Sequence, residues 1–232
     1  MTVLPIEQDD GDAAVGLVGQ LLAGAPSPWY TIVMRRCHLP VVFVVVQVLS
    51  ACVSSRGREL AVPDVRQATP YTCSASALQA VLAYYGLETR EAVLADELGA
   101  TPENGAPPEA IVRVAVAHGL RATKRENMTV DDLGSEIARG RPVIVEIQAW
   151  SDPPRTSWAD DWDDGHYVIV IAVEGDRLVF EDPSVLGSRA VLSRREFEER
   201  WHDIDAGHRN VRTGILFGGK QPAPAPARVH MD

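Results

Sequence analysis

Residues 67 to 86 read QATPYTCSASALQAVLAYYG, and this stretch decides how the fold begins. Apolar residues recur every three or four positions from Cys73 to Tyr85, which predicts a helix that Gly86 ends. At a helix N-terminus, the helix dipole and unpaired backbone N–H groups stabilise negative charge. Both effects lower the pKa of a thiol below its ordinary value of about 8.5, so Cys73 is a candidate nucleophile. The alternative is a cysteine that serves only as a small buried apolar residue.

The rest of the chain places helical patterns first and strand patterns later. Glycines end the helical patterns, and apolar, β-branched runs mark the strands. This order indicates an α+β domain, which we place at residues 61–217. The predicted helices are 91–98, 108–118 and 130–138. A further short helix is predicted from Ser193, which forms a capping box with Glu196. The predicted strands are 142–147, 167–173, 177–181 and 189–192.

Two of these strands, joined by a turn at residues 174–176, form a hairpin that carries two further candidates. His166 opens the first strand, and Asp182 follows Glu181, the last residue of the second. The start of one antiparallel strand lies beside the end of the other, so His166 and Asp182 are predicted neighbours. Glu181 points to the opposite face by strand alternation. We therefore predict that His166 is the base for Cys73 and that Asp182 orients it. The alternatives are a structural strand-end histidine and a solvated turn aspartate.

Acyl transfer also requires hydrogen-bond donors for the oxyanion that forms. The backbone N–H of Cys73 is one candidate donor. Gln67 lies six residues upstream, in the loop that enters the helix, and its side-chain amide is a second candidate. A loop glutamine alone does not indicate such a role.

Three separated segments resemble the bacteriocin-processing cysteine peptidases, peptidase family thirty-nine. Residues 67–86 are similar to the active-site segment of that family, 165–170 to its histidine strand, and Glu181-Asp182-Pro183 to its Asp-Pro motif. The resemblance implies a papain-like fold, with N-terminal helices packed on an antiparallel sheet, and a triad of Cys73, His166 and Asp182. It also implies an oxyanion-hole glutamine at Gln67. We expect a cysteine peptidase that acts on peptide or protein substrates and stands alone rather than as the peptidase arm of an exporter.

Two rival functions remain open from the sequence. One is a surface lipoprotein with a peptidase-like fold that captures a peptide or a partner without turnover. The other is an acyl transferase that passes the acyl group from the same triad to an amine. The sequence does not distinguish transfer from hydrolysis, because both begin with the same acyl-enzyme.

The composition argues against other classes of partner. The 232 residues carry a formal net charge of −10 and no basic stripe, so we expect no nucleic acid partner. The three cysteines are not spaced as zinc ligands. An acidic run precedes His166, but it lacks the glycine and the terminal glutamate of a calcium loop. We expect a solvated acidic loop there, with a metal site as the alternative, and a monomer without a cofactor. The run comprises Asp160, Asp161, Asp163 and Asp164.

Residues 34–52 resemble an export signal. Basic residues after Met34 precede a short apolar run, and the run ends in Leu49-Ser50-Ala51-Cys52, which resembles the lipobox of bacterial lipoproteins. The run is shorter than the roughly 20 residues that span a bilayer as a helix. The resemblance implies lipidation of Cys52 and anchoring on the outer face of the cytoplasmic membrane. Residues 1–33 would then be an extension or a mis-assigned start. The alternatives are a buried β-strand in a cytoplasmic protein and an uncleaved membrane anchor.

Two other segments carry weaker expectations. Residues 218–232 are rich in proline and alanine, which predicts a disordered tail. Trp158 and Trp162 lie in the acidic loop before His166, and together with Trp150 they would line a substrate cleft or pack in the core.

Overall fold

The computed structural model describes residues 59–150, 157–205 and 207–224. Three helices come first and strands dominate from residue 143 onward, as predicted, except that an unpredicted strand lies between the third and fourth helices. The helices are α1 (Cys73–Tyr84), α2 (Glu91–Leu98), α3 (Pro108–Ala117), α4 (Val130–Ala138) and α5 (Arg194–Arg200), and the strands are β1 (Arg121–Arg125), β2 (Val143–Gln148), β3 (Gly165–Glu174), β4 (Arg177–Glu181), β5 (Ala190–Ser193), β6 (His202–Asp205), β7 (His208–Val211) and β8 (Gly214–Gly218).

Six of the strands form one antiparallel sheet in the order β1-β8-β2-β3-β4-β5, and β6 pairs with β7 in a separate ribbon. Helix α1 packs against α2, α3 and β3, while α5 packs against β2, β4 and β5. The α+β class, with helices packed on an antiparallel sheet, is therefore confirmed. Four strands were not predicted, namely β1, β6, β7 and β8.

Helix α1 is central to the domain. Only Gln79 and Ala83 among its twelve residues are not buried. A helix that is apolar and small-residue-rich on nearly every side is typical of a core position rather than of an amphipathic surface helix. The N-terminus of α1, where Cys73 lies, is therefore held by packing along the entire helix.

The predicted hairpin is formed by β3 and β4, with Gly175 in the turn at φ +61°. The pairing contains a bulge just after Val170. Without this bulge, Glu181 would lie opposite Val170, which shares a face of β3 with His166. With the bulge, Glu181 pairs with Ile169 on the other face. The next residue, Asp182, is thereby turned toward His166.

Two predicted segments lie wholly or partly outside the described residues. Residues 1–33 and the predicted export signal at 34–52 are not among them. In the part of the chain that the structure describes, no helix has the length and apolar character needed to cross a membrane. The described part of the tail ends at residue 224, and the Ala223 N–H donates to the Tyr84 carbonyl at 2.8 Å. The beginning of the tail therefore lies against the end of α1, whereas residues 225–232, for which disorder was also predicted, lie outside the described residues.

Candidate active site

Cys73 is the first residue of α1 and a buried, unpaired thiol. Burial by itself raises the pKa of the Cys73 thiol, but the hydrogen bond and the charge of His166 lower it. The backbone N–H groups of Tyr167 and Ser74 act in the same direction. The net effect is a Cys73 pKa below its ordinary value, so the site stabilises the thiolate.

His166 joins Cys73 to Asp182. Its Nε2 lies 2.7 Å from Asp182 Oδ1, and both side chains are buried. Burial alone would lower the pKa of His166, but the hydrogen bond with Asp182 and the interaction with Cys73 raise it to about 9. Because Nε2 faces Asp182, Nδ1 is the ring nitrogen left for Cys73. The site therefore favours a thiolate–imidazolium pair at neutral pH.

Asp182 is fixed by more than the histidine. Its Oδ1 also accepts the Ser184 N–H at 2.8 Å, so the carboxylate is held on the loop that follows β4. The Pro183 carbonyl on this loop accepts the Gln67 N–H at 2.9 Å. The Asp-Pro loop and the segment that enters α1 are thus directly bonded to each other.

Gln67 is half-buried on that entering segment. Its Nε2 donates to the Thr69 carbonyl at 2.9 Å, and its Oε1 accepts from the Ser184 hydroxyl at 3.4 Å. An amide nitrogen carries two N–H groups, and the bond to Thr69 uses one of them. The fixed amide is therefore compatible with donation to an oxyanion, which remains a prediction.

Glu181 faces away from His166, as its place in the bulged register requires. Its side chain is fully buried, Oε1 accepts the Val65 N–H at 2.8 Å, and Oε2 is paired with Arg189. Arg189 also donates to the Val62 carbonyl at 2.6 Å. These bonds tie the end of β4 to the segment that leads toward Gln67.

The loop before His166 is held by Gln148, a buried residue that the sequence analysis did not single out. Its Nε2 donates to the His202 carbonyl at 3.0 Å and to Asp203 Oδ1 at 3.1 Å, and its Oε1 accepts the Asp164 N–H at 2.9 Å. Gln148 is a polar residue at the end of an apolar strand. The same signal identified His166, and it would have identified Gln148 too.

At Gly165, strand β3 passes very close to the side chain of Asp203. A Cβ at Gly165 would overlap the Asp203 carboxylate and lie 2.6 Å from its Cγ. The carboxylate cannot easily move, because it accepts hydrogen bonds from Gln148 and from the Ile204 N–H. Only glycine therefore fits beside His166 at this point of β3.

We expect Gly165→Ala to destabilise the fold by about 1–3 kcal/mol, the usual cost of overpacking, and to slow alkylation of Cys73. Urea unfolding and the rate of iodoacetamide modification would measure the two effects. Gly134→Ala in α4 is the matched control, since its Cβ would meet only Val173 at an ordinary 3.9 Å. Equal stability of the two variants would contradict the account of Gly165.

The three tryptophans occupy two kinds of environment. Trp150, which is exposed, and Trp158 line a cavity of about 560 Å³ that reaches Asp182. The Arg200 guanidinium lies 3.5 Å from the centre of the Trp158 ring. Trp162 instead packs against His202, with ring centres 4.3 Å apart. Two of the three thus border a cleft beside the site, and the third supports the ribbon.

The acidic run before His166 is organised by backbone contacts. Asp163 N–H donates to Asp161 Oδ1 at 3.2 Å, and the Asp161 carbonyl lies 2.7 Å from His202 Nε2. Within residues 59–150, 157–205 and 207–224, no group of three or more His, Cys, Asp or Glu side chains is arranged to hold a metal ion.

Comparisons with known proteins identify a family and a fold. The model of the Peptidase_C39 like family matches residues 59–207. A solved C39-like peptidase from Bacillus anthracis is 18% identical, with a TM-score of 0.55, and the match covers 71% of this chain and 98% of that one. The peptidase domain of Streptococcus ComA, described as a bi-functional ABC transporter involved in quorum sensing, is 20% identical. Its TM-score is 0.51, and the match covers 70% of this chain and 98% of the domain. No curated protein matches the chain.

Proposed function

Because the chain belongs to the Peptidase_C39 like family, we propose that it hydrolyses peptide bonds with Cys73 as the nucleophile. The observation that carries the proposal is the convergence of Cys73, His166 and Asp182 in one buried hydrogen-bonded site. A nucleophile beside a base that a third group orients is the arrangement that acyl transfer needs. The family's peptidase fold, formed here by α1 and the β2–β3–β4 strands, supports the same conclusion.

In the first step, the Cys73 thiolate attacks the carbonyl carbon of the scissile peptide bond. The tetrahedral oxyanion accepts hydrogen bonds from the Cys73 backbone N–H and the Gln67 side chain. The C–N bond then breaks, and the His166 imidazolium gives its proton to the leaving amine. This step leaves a thioester on Cys73 and a neutral His166.

In the second step, water attacks the thioester while His166 accepts its proton. The C–S bond breaks, the acyl group leaves as a carboxylic acid, and the thiolate–imidazolium pair is restored. Asp182 keeps its hydrogen bond with Nε2 through both steps. It thereby holds the ring with Nδ1 toward the sulfur and stabilises the positive charge on it.

The test is cleavage of a mixed peptide library by the full chain, with products identified by mass spectrometry. We expect Cys73→Ala to abolish cleavage. We also expect the parent chain to accumulate an acyl adduct on Cys73 when quenched in acid, and this adduct is the signature of nucleophilic catalysis. A product formed with an added amine instead of water would identify an acyl transferase. Binding of peptides without any adduct would favour the non-catalytic alternative.

We also propose that residues 34–52 direct export and that Cys52 receives lipid, which rests on the lipobox-like Leu49-Ser50-Ala51-Cys52. Expression of the full gene in a bacterium with labelled palmitate should give a labelled membrane-bound protein whose chain begins at Cys52. Cys52→Ser should abolish the label without changing alkylation of Cys73. A native mass that includes residue 1 would contradict the proposal.

A further inference from the structure

A buried carboxyl group lies close to the site but takes no part in the proposed mechanism. Glu146, on β2, pairs across the sheet with Tyr167, the residue that follows His166. Only 3% of Glu146 is exposed. Its Oε1 lies 2.7 Å from the Tyr167 hydroxyl, and its Oε2 is buried without a hydrogen-bond partner in the described part of the chain.

The hydrogen-bond geometry around Tyr167 requires a second proton. The Tyr167 hydroxyl oxygen lies 2.7 Å from Glu146 Oε1 and 3.0 Å from the Ala106 carbonyl oxygen. A hydroxyl carries one proton, and a carbonyl and a carboxylate are both acceptors only. Both contacts become full hydrogen bonds if Glu146 carries a proton and donates it to the Tyr167 oxygen, which then donates to Ala106. Oε2 is then a neutral carbonyl oxygen, which is much less costly to bury unpaired than an ionised one.

The charges that face Glu146 favour the same state. Two acids of β6, Asp203 and Asp205, oppose its ionisation, and Lys124 of β1 is the cation that favours it. Lys124 is already engaged by two carboxylates, Glu109 at 2.6 Å and Glu126 at 2.9 Å. The remaining titratable neighbour is Tyr167 itself, on β3. Burial, the first cause, and these acids raise the pKa of Glu146 to about 8.

The chain of hydrogen bonds joins the residue whose backbone bonds the Cys73 thiol to a loop near the segment that enters α1. At one end, the Tyr167 backbone N–H contributes to stabilising the thiolate. At the other end, Ala106 follows a tight loop closed by two hydrogen bonds between Thr101 and Gly105. A Cβ at Gly105 would lie 3.9 Å from the carbonyl oxygen of Tyr71, two residues before Cys73.

From these contacts we infer that Glu146 is a neutral, proton-carrying carboxyl group that positions Tyr167 beside the Cys73 thiolate and holds the 101–106 loop near the segment that enters α1. Glu146 is a positioning residue, since it acts through Tyr167 and does not touch the reacting atoms. The positioning role rests on the proposed nucleophilic function of Cys73, whereas the proton on Glu146 does not.

The proton is tested first, without any activity measurement. The matched variant is Glu146→Gln, whose amide can donate to Tyr167 as the carboxyl proton does. Infrared difference spectra of the full chain, parent minus variant, should show a protonated-carboxyl band at pH 6.5 that disappears above about pH 8. A carboxylate band in its place at pH 6.5 would overturn the inference.

Unfolding equilibria give an independent measurement of the same proton. A carboxyl group that is protonated in the folded state and ionised in the unfolded state binds one more proton when folded. The unfolding constant of the parent relative to Glu146→Gln should therefore increase about tenfold per pH unit between pH 5 and 7.5. A ratio that does not change with pH would overturn the inference.

The positioning role is tested by the rate of iodoacetamide alkylation of Cys73 at pH 7. We expect Glu146→Ala and Tyr167→Phe to slow the reaction at least threefold and Glu146→Gln to restore the parent rate within a factor of two. Slowing in Tyr167→Phe, which removes the hydroxyl but keeps the ring, distinguishes the loss of this hydrogen bond from the loss of side-chain volume. Equal rates in the parent and all three variants would refute the positioning role while leaving the proton and the peptidase proposal intact.

Discussion

Replacing His166 with alanine should slow iodoacetamide alkylation of Cys73 at pH 7 by about two orders of magnitude. The reason is that burial raises the pKa of the Cys73 thiol, and His166 supplies the main interactions that oppose this effect. Without the ring, burial would raise the pKa of the thiol above its ordinary value, about 8.5, so that roughly 3% thiolate or less would form at pH 7. Peptide cleavage, where it is detected, should fall by about 10²–10⁴-fold because the general acid and base is lost.

The pH profile of the parent protein adds a second readout. The lowered pKa of Cys73 and the raised pKa of His166, about 9, leave a window between them in which the ion pair is intact. Cleavage should fall below that window as the pair takes up a proton and above it as the imidazolium loses one. The two apparent pKa values that bound this window belong to the coupled Cys73–His166 pair rather than to either residue.

His118→Ala is the matched control for this experiment. His118 follows α3, where its Nε2 lies 2.7 Å from Glu97 Oε2, and it is more exposed than His166. We expect this variant to keep the alkylation rate and pH profile of the parent. A Cys73 that reacts equally fast in the parent and in His166→Ala would refute the nucleophile–base pair.

Replacing Arg189 with alanine should destabilise the fold by about 3–5 kcal/mol. The variant leaves the Glu181 carboxylate buried with the Val65 N–H as its remaining bond, and a buried charge without its partner costs about this much. For a domain of this size, the melting temperature should fall by roughly 10 °C, which calorimetry or circular dichroism would measure.

Two controls separate this effect from a general loss of surface charge. Arg195→Ala removes an exposed arginine paired with Glu199 at 3.0 Å, and it should cost less than about 0.5 kcal/mol. The double variant Arg189→Met with Glu181→Gln should recover much of the lost stability, because no buried charge then remains. A cost for Arg189→Ala as small as that for Arg195→Ala would show that the pair does not support the site.

The sequence was sufficient to predict the elements with strong periodicity. The bounds of α2, α4 and β4 agree with the predicted ones, because each has a clear apolar pattern with a glycine or an acidic residue at its end. β1 was missed because its sequence, RATKR, has one apolar residue and forms a half-exposed edge strand. β8, GILFG, is short and bounded by glycines, so only its pairing with β1 and β2 identifies it.

Parts of the candidate site depend on contacts between residues far apart in sequence. The side chain of Asp203 is the reason that position 165 must be glycine, and 38 positions separate the two residues. The proton that we infer on Glu146 depends on a carbonyl at Ala106. Local pattern and propensity contain no signal for either contact, whereas His166 and Asp182 were predictable because a short hairpin joins them.

The bulge after Val170 has a consequence for how such sites diverge. Either Glu181 or Asp182 can face His166. The number of β4 residues between the bulge and the strand end determines which of the two does so. Deleting Phe180 would leave both acids and His166 in the sequence, yet it would pair Glu181 with Val170 and so place Glu181 rather than Asp182 on the face of His166. A relative with every motif in alignment can therefore lack the orienting carboxylate because of a deletion of one residue in β4. Chain length within this hairpin is for that reason as much a part of the active site as the residues that line it.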